Sequence, residues 1–209
     1  MKNSELYKEK TGKNGFYSIQ AISNIPSIIQ YGILSNENAQ SIVHKSIALQ
    51  DVQQRRDNVK IPNGMKLHQY ANLYFDFWNP MLSRLRSKNN EICILKIDAT
   101  ILDISNVIVS DRNAASNYVN FYTAKEGISI LNFKKIFDKY WVVPDYFEAL
   151  ENKAVKCAEI LVPNVVPFDY IIAVAVINEK NANILKQQGM NKRIIVQPSA
   201  FFGEKEYEN

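Results

Sequence analysis

Cysteine and histidine are scarce in this 209-residue chain: Cys93, Cys157, His44 and His68 are all there is. They lie far apart in sequence, so no zinc-ligand spacing can be written and no metal is expected. Both cysteines sit in β-branched-rich runs, where a thiol serves as a small core hydrophobe; free thiols in a reducing cytoplasm are expected. Glycine is also sparse, with seven residues. Neither G-x-G-x-x-G nor a P-loop occurs, which excludes the Rossmann and P-loop routes to nucleotide binding. No serine stands in a nucleophile-elbow motif and no cysteine-histidine arrangement is supported, so nucleophilic hydrolysis has no candidate. Long apolar runs are missing too. The longest, YIIAVAVI at 170–177, is far short of the ~20 residues that cross a bilayer. The opening MKNSELYKEKTGKNG carries charge without a following apolar h-region, so a soluble, cytoplasmic protein with no membrane partner is expected. No repeat, low-complexity tract or linker divides the chain. A single domain over 1–209 follows, with flexible ends at 1–14 and 203–209.

What is present is ordinary globular composition, 46% hydrophobic and 22% charged. A chain of this length buries roughly 70% of the surface its unfolded form exposes, so a core without staples is expected. The net charge of +4 is unevenly placed: 45–88 holds eight Lys and Arg against three Asp. Such a stretch is either a phosphate-binding patch or a solvated face.

Short strand and helix signals alternate. FYSIQAI reads as a strand. SNIPSIIQYG reads as a helix, with Ser23 or Asn24 as N-cap, Pro26 in the first turn, an apolar face of Ile25, Ile28 and Ile29, and Gly32 as the stop. YANLYFDF is a strand and NPMLSRLR a helix; EICILKIDA and NVIVS are further strands. From Arg112 to Leu150 the chain is helical or looped, with LNFKKIFDKYW at helical spacing. KCAEILV, FDYIIAVAVI and RIIVQ close it as strands, with NEKNANILKQQG as a helix stopped by Gly189. The irregular spacing predicts an α+β fold with largely antiparallel strands.

One charge is out of place. In AVKCAEILVP, strand alternation puts Glu159 on a face with Val155, Cys157 and Leu161. An uncompensated buried carboxylate costs several kcal/mol, so Glu159 needs a hydrogen-bonding or cationic partner, or a route to water. Arg55 and Arg56 precede a turn at 62–64. A guanidinium suits a pyrophosphate or a carboxylate such as Glu159, and two exposed helix arginines are the plainer alternative. Tyr70, Tyr74, Phe75, Phe77 and Trp78 fall within nine residues; such rings pack a core or stack on flat ligands. His68 is a phosphate contact, an acid or base, or a surface hydrogen bonder.

Taken together, three blocks resemble the DarT family, bacterial toxins that ADP-ribosylate single-stranded DNA using NAD and are paired with a macrodomain antitoxin. They are FYSIQAISNIPSIIQYGILS, then DVQQRRDNVKIPNGMKLHQYANLYFDFWNPML, then KCAEILVPNVVPFDYI with the A-E-x-L-V element. The resemblance implies an ADP-ribosyltransferase fold, two small mainly antiparallel sheets around a NAD cleft. It implies Glu159 as the catalytic glutamate, with Arg55 or Arg56 acting on the cofactor side. Tyr17, Ser18, Gln20, Asn24, Gly32, Leu34, Arg55, Tyr70 and Tyr74 would face NAD, and Asn117, Tyr118, Tyr122 and His68 the DNA. One position departs from the pattern: Ser18 stands where the family usually has histidine.

Cleavage of the nicotinamide–ribose bond passes through oxocarbenium character, which a carboxylate stabilises. Glu159 is therefore expected to bond the ribose and to help remove a proton from the attacking base nitrogen. Thymine and guanine are both open as acceptors. The same fold acting on RNA or protein, and a nucleic-acid-binding module without turnover, are the competing readings.

Overall fold

The computed structural model describes residues 1–48 and 50–203, and all their side chains but those of Gln50 and Asp51. Ten strands follow in chain order: β1 (Gly15–Ala21), β2 (Ile33–Leu34), β3 (Tyr70–Tyr74), β4 (Ile92–Asp98), β5 (Ile108–Ser110), β6 (Phe121–Thr123), β7 (Glu159–Pro163), β8 (Val165–Val166), β9 (Ile171–Val176) and β10 (Arg193–Val196). The α-helices are α1 (Asn3–Thr11), α2 (Ile25–Tyr31), α3 (Asn36–Ala39), α4 (Gln50–Asp57), α5 (Pro80–Arg84), α6 (Ala124–Ile130), α7 (Phe133–Phe137), α8 (Tyr146–Val155) and α9 (Glu179–Gln187).

Eight strands form one sheet in the order β10-β9-β4-β1-β3-β7-β5-β6, and β2 pairs with β8 separately. Only β9 and β10 are parallel, joined by α9 as the crossover such a pair needs. The antiparallel α+β reading therefore holds. The division into two sheets does not hold as expected, and the reason lies at one junction. β1 pairs with β4 along its whole length, from Gly15 opposite Asp98 to Ala21 opposite Ile92, and β3 pairs with β7 along its whole length. Between β1 and β3 the register is a single pair, Tyr17 opposite Tyr74. Each strand follows its fully registered partner, and sheet twist carries the two apart beyond that pair. The result is two four-stranded halves joined at one point, with a cleft where they splay.

Local signals place the elements that wall the cleft. Pro26 sits in the first turn of α2, and Gly32 ends the helix at φ +79°. A side chain there would also strike the Val166 carbonyl oxygen and the Val165 side chain, so glycine is required by backbone and by space. Gly32 thereby lets β2 lie against β8.

The N-terminal segment is not loose. α1 covers Asn3–Thr11, and its buried Tyr7 ring packs at 4.7 Å on Phe16 and 5.9 Å on Phe133. Ser4 donates from N and Oγ to the Asp103 carboxylate, at 3.0 and 2.6 Å. Asp103 and Phe133 are some hundred residues or more away in sequence, so nothing local announces them. The frayed tail expected over 203–209 falls, after residue 203, outside the described residues. The strand expected from Ala154 begins only at Glu159, because Ala154 and Val155 complete α8. Within 112–150 the chain also holds β6, a strand not read from the sequence.

Candidate active site

Glu159 opens β7 opposite Tyr74 on β3, and its side chain is 0% exposed. Its partner is Arg56 in the last turn of α4. Arg56 Nη1 donates to both carboxylate oxygens, at 3.1 and 3.2 Å, and Nη2 donates to Oε2 at 3.1 Å. The Ala114 amide donates to Oε1 at 2.9 Å. The Glu159 amide donates to Ser110 Oγ at 3.1 Å, and that hydroxyl donates to the Arg112 carbonyl at 2.7 Å. Every acceptor of the carboxylate is thus engaged, which is what a buried charge requires.

The pair sets the local electrostatics. Burial opposes the charge on Arg56, but Glu159 outweighs it and holds the guanidinium above its ordinary value. Burial, reinforced by the Glu159 charge, raises the Tyr74 phenol and pushes the Cys157 thiol up to about 12. Neither Tyr74 nor Cys157 ionises at neutral pH.

Arg56 forms part of the wall of a cleft of about 610 Å³; Glu159 is not among the lining residues and lies behind the guanidinium. Ser18 and Gln20 of β1, Tyr70, Asn72 and Tyr74 of β3, and the 113–117 loop all face into it. The described lining holds five cationic side chains, Lys45, Arg55, Arg56, Arg84 and Lys153, and no carboxylate. An acid-free basic cleft focuses positive potential and suits a polyanionic ligand. Successive helix residues point about 100° apart. Arg56 accordingly turns inward to Glu159, while Arg55 stays exposed and lines the cleft.

His68 carries a second polar signal. Its Nδ1 lies 3.1 Å from Asp57 Oδ1, while its Nε2 is buried with no hydrogen-bond partner among the described residues. Burial lowers the His68 pKa against the opposing pull of Asp57, with Arg56 also lowering it. The neutral ring donates from Nδ1 to Asp57 and offers Nε2 as an acceptor, on the wall of the cleft.

The comparisons with known proteins agree on one family. The family described as ssDNA thymidine ADP-ribosyltransferase, DarT, matches residues 17–202. The chain belongs to the DarT family. It is 33% identical over 192 residues to a DNA ADP-ribosyl transferase-DNA ADP-ribosyl glycohydrolase fusion protein of Thermosipho africanus (strain H17ap60334), with 89% of this chain and 48% of the fusion covered. The chain thus spans about half the length of that relative. The solved Thermosipho africanus DarTG in complex with ADP-ribose is similar with TM-score 0.78 and 31% identity, over 91% of this chain and 51% of that one. Thermus sp. 2.9 DarT in complex with ADP-ribosylated ssDNA is similar with TM-score 0.76 and 26% identity, over 90% and 96% of the two chains. The same Thermus protein in complex with carba-NAD+ gives TM-score 0.72 and 25% identity, over 90% and 97%.

The residues singled out through the DarT resemblance do not all meet in the cleft. Ser18, Gln20, Asn24, Gly32, Leu34, Arg55, Tyr70, Tyr74, His68 and Asn117 line it. Ser18 accepts a hydrogen bond from Gln20 Nε2 at 2.8 Å, so the departure from the DarT histidine is joined to a neighbouring polar group. Asn24 uses both ends of its amide on the backbone of Lys45, at 2.9 and 2.8 Å, and ties that segment to the cleft edge. The Tyr70 hydroxyl accepts from the Met65 amide at 3.2 Å, leaving the ring to the cleft. Tyr17 points to the opposite face of the sheet, edge-on to Phe77 at 5.0 Å, as strand alternation from Ser18 demands. Tyr118 is 79% exposed, and neither it nor Tyr122 on β6 lines the cleft. Asn72, Arg84, Asn113 and Lys153 line it without having been singled out. Alternation from Tyr70 and Tyr74 was the available signal for Asn72; the other three are placed by loops and helix ends.

Proposed function

We propose that this chain transfers ADP-ribose from NAD to thymine in single-stranded DNA. The observation that carries the reading is the Arg56–Glu159 pair, with Arg56 in the wall of a basic, acid-free cleft and Glu159 directly behind it. The solved relatives support the donor and the single-stranded acceptor, and the family description supports the base. Arg55 is the cation placed for the pyrophosphate, the Tyr70 and Tyr74 rings wall the nicotinamide, and the bare Nε2 of His68 fits a ribose hydroxyl.

The bond from nicotinamide nitrogen to the ribose anomeric carbon breaks, and the bond from that carbon to thymine N3 forms. Nicotinamide leaves neutral, and the N3 proton is taken by the Glu159 carboxylate in exchange for one of its Arg56 hydrogen bonds. The carboxylate charge favours the oxocarbenium character of the sugar. The guanidinium, held in place by Glu159, stabilises the negative charge that grows on the base as N3 loses its proton. N3 lies within the base pair in a duplex, which explains a single-stranded acceptor.

The Thermosipho relative joins a transferase to a glycohydrolase in one chain. We infer a partner of that second activity here, a macrodomain antitoxin that removes the mark, with both acting in the cytoplasm. Among the described residues no helix is long and apolar enough to cross a membrane.

Incubation with NAD and short single strands, followed by intact-mass measurement, tests the reading. One ADP-ribose on thymine-containing DNA, absent with Glu159→Gln, is expected. Adducts on RNA alone, or no adduct and no nicotinamide release, would overturn it.

A further inference from the structure

The ladder between β5 and β7 stops one residue short of the site. Ile108 pairs with Leu161 and Val109 with Ile160, so the antiparallel register brings Ser110 opposite Glu159. At that step a side chain takes the place of a backbone carbonyl. The fully buried Ser110 hydroxyl accepts from the Glu159 amide at 3.1 Å and donates to the Arg112 carbonyl, two residues on, at 2.7 Å. A serine bonded to nearby backbone offers the chain an alternative to the ladder, and here the chain leaves β7. It ties itself to α8 instead: the Asn113 amide donates to the Ala154 carbonyl at 3.0 Å, and Arg112 Nη1 donates to Glu151 Oε2 at 2.8 Å. The next amide, that of Ala114, then reaches Glu159 Oε1 at 2.9 Å. One hydroxyl thus stands behind both ends of Glu159, bonded directly to its amide and, through the turn, setting a donor against its carboxylate.

The two carboxylate oxygens are held differently. Oε1 accepts from Ala114 and from Arg56, whereas Oε2 accepts, among the described residues, from Arg56 alone. When an Arg56 bond gives way, the Ala114 amide is the contact that keeps the carboxylate in place. We infer that Ser110 is a positioning residue for the transfer: it sets the Ala114 amide against Oε1, so that Oε2 is the oxygen released to take the proton. The inference rests on the reading above, in which Glu159 accepts the N3 proton, and it deepens that reading. The residue type fits, because alanine at 110 would leave the buried Glu159 amide and the Arg112 carbonyl without the partner they have. Placement matters to rate, since a displacement of ~1 Å at a reacting group can cost ~10²-fold.

The test compares Ser110→Ala, Ser110→Cys and Ser110→Thr with Ser4→Ala, which removes another buried hydroxyl, on α1 and outside the cleft lining. For each variant kcat and KM for NAD are measured on a thymine-containing single strand, at a temperature where circular dichroism shows it folded. Ser110→Cys fills the same space with a weak hydrogen bonder, and it decides the matter if Ser110→Ala does not fold. Both should lose kcat roughly ten-fold or more, with KM for NAD within about two-fold of the wild type. Ser110→Thr keeps the hydroxyl and should recover most of the rate, and Ser4→Ala should keep all of it. In isotope-labelled protein the Ala114 amide should exchange with heavy water faster in Ser110→Cys than in the wild type, a measurement that needs neither NAD nor DNA. Wild-type kcat in the folded alanine and cysteine variants, or an unchanged Ala114 exchange rate, would overturn the positioning role. Faster Ala114 exchange beside a wild type that transfers nothing would instead overturn the function on which the inference rests.

Discussion

The Arg56 guanidinium spans both oxygens of the Glu159 carboxylate, with three hydrogen bonds of 3.1 to 3.2 Å between residues 103 positions apart. Arg56 lines the cleft and Glu159 stands behind it, so substrate meets the two as a unit. Glu159→Gln keeps the shape and removes the charge. Transfer should fall by ~10² to 10⁴-fold. Stability should fall by about 3 kcal/mol or more, because Arg56 is left buried without a counter-charge. Adduct formation and urea unfolding measure the two effects separately. Arg56→Lys should also be nearly inactive, since an ammonium cannot make the paired contact.

Arg55 should behave differently. It is exposed on the cleft wall and assigned to the pyrophosphate, so Arg55→Ala should raise the KM for NAD with a smaller change in kcat. A loss confined to kcat would remove Arg55 from donor binding.

His68 gives a pH dependence. Its pKa is lowered in the folded protein, chiefly by burial, from an ordinary value of 6.5. The unfolded chain therefore binds the proton first as pH falls, and stability rises with pH across that window. The contribution is present above about 6.5 and is lost as pH drops through the lower folded value. Urea unfolding from pH 7.5 to 5 should show a shallower decline in His68→Asn than in the wild type.

Gly32→Ala should destabilise by roughly 1–3 kcal/mol, from its positive φ alone, and by more from the close approach of Val166. Thermal unfolding measures it. Ala at Gly12, also at positive φ but with open space around it, should cost less.

Lys156 is fully buried, with Nζ donating to Asp76 Oδ2 at 2.7 Å and to the Ile136 carbonyl at 2.8 Å. Lys156→Met alone should cost about 3–5 kcal/mol, and joint replacement with Asp76→Asn should cost less than the sum of the single changes. A double-mutant cycle by chemical unfolding decides this.

Much of the architecture is written locally. Pro26 and Gly32 bound α2, the β-branched run of Ile92–Asp98 makes β4, and Gly189 follows α9, because caps, turns and propensity act over a few residues. The DarT blocks likewise sit in short stretches of sequence, and they named Glu159 and the two arginines. α1 was illegible because much of its order comes from Asp103 and Phe133, groups remote in sequence that hold an otherwise polar helix at Ser4 and Tyr7. Lys156 lies in the KCAEILV segment and is a core ion pair with Asp76, 80 residues away, which nothing local announces.

The sequence by itself determined the antiparallel α+β character and the presence of one carboxylate in need of a partner. Only the tertiary structure decided that the partner is Arg56 rather than Arg55, since a 100° step on α4 becomes inward or outward only once the helix is docked. It also decided that the cleft opens where β1 and β3 part after Tyr17 and Tyr74. Strand propensity specifies which residues extend; it is the competing registers of whole neighbouring strands that specify where two strands stop pairing.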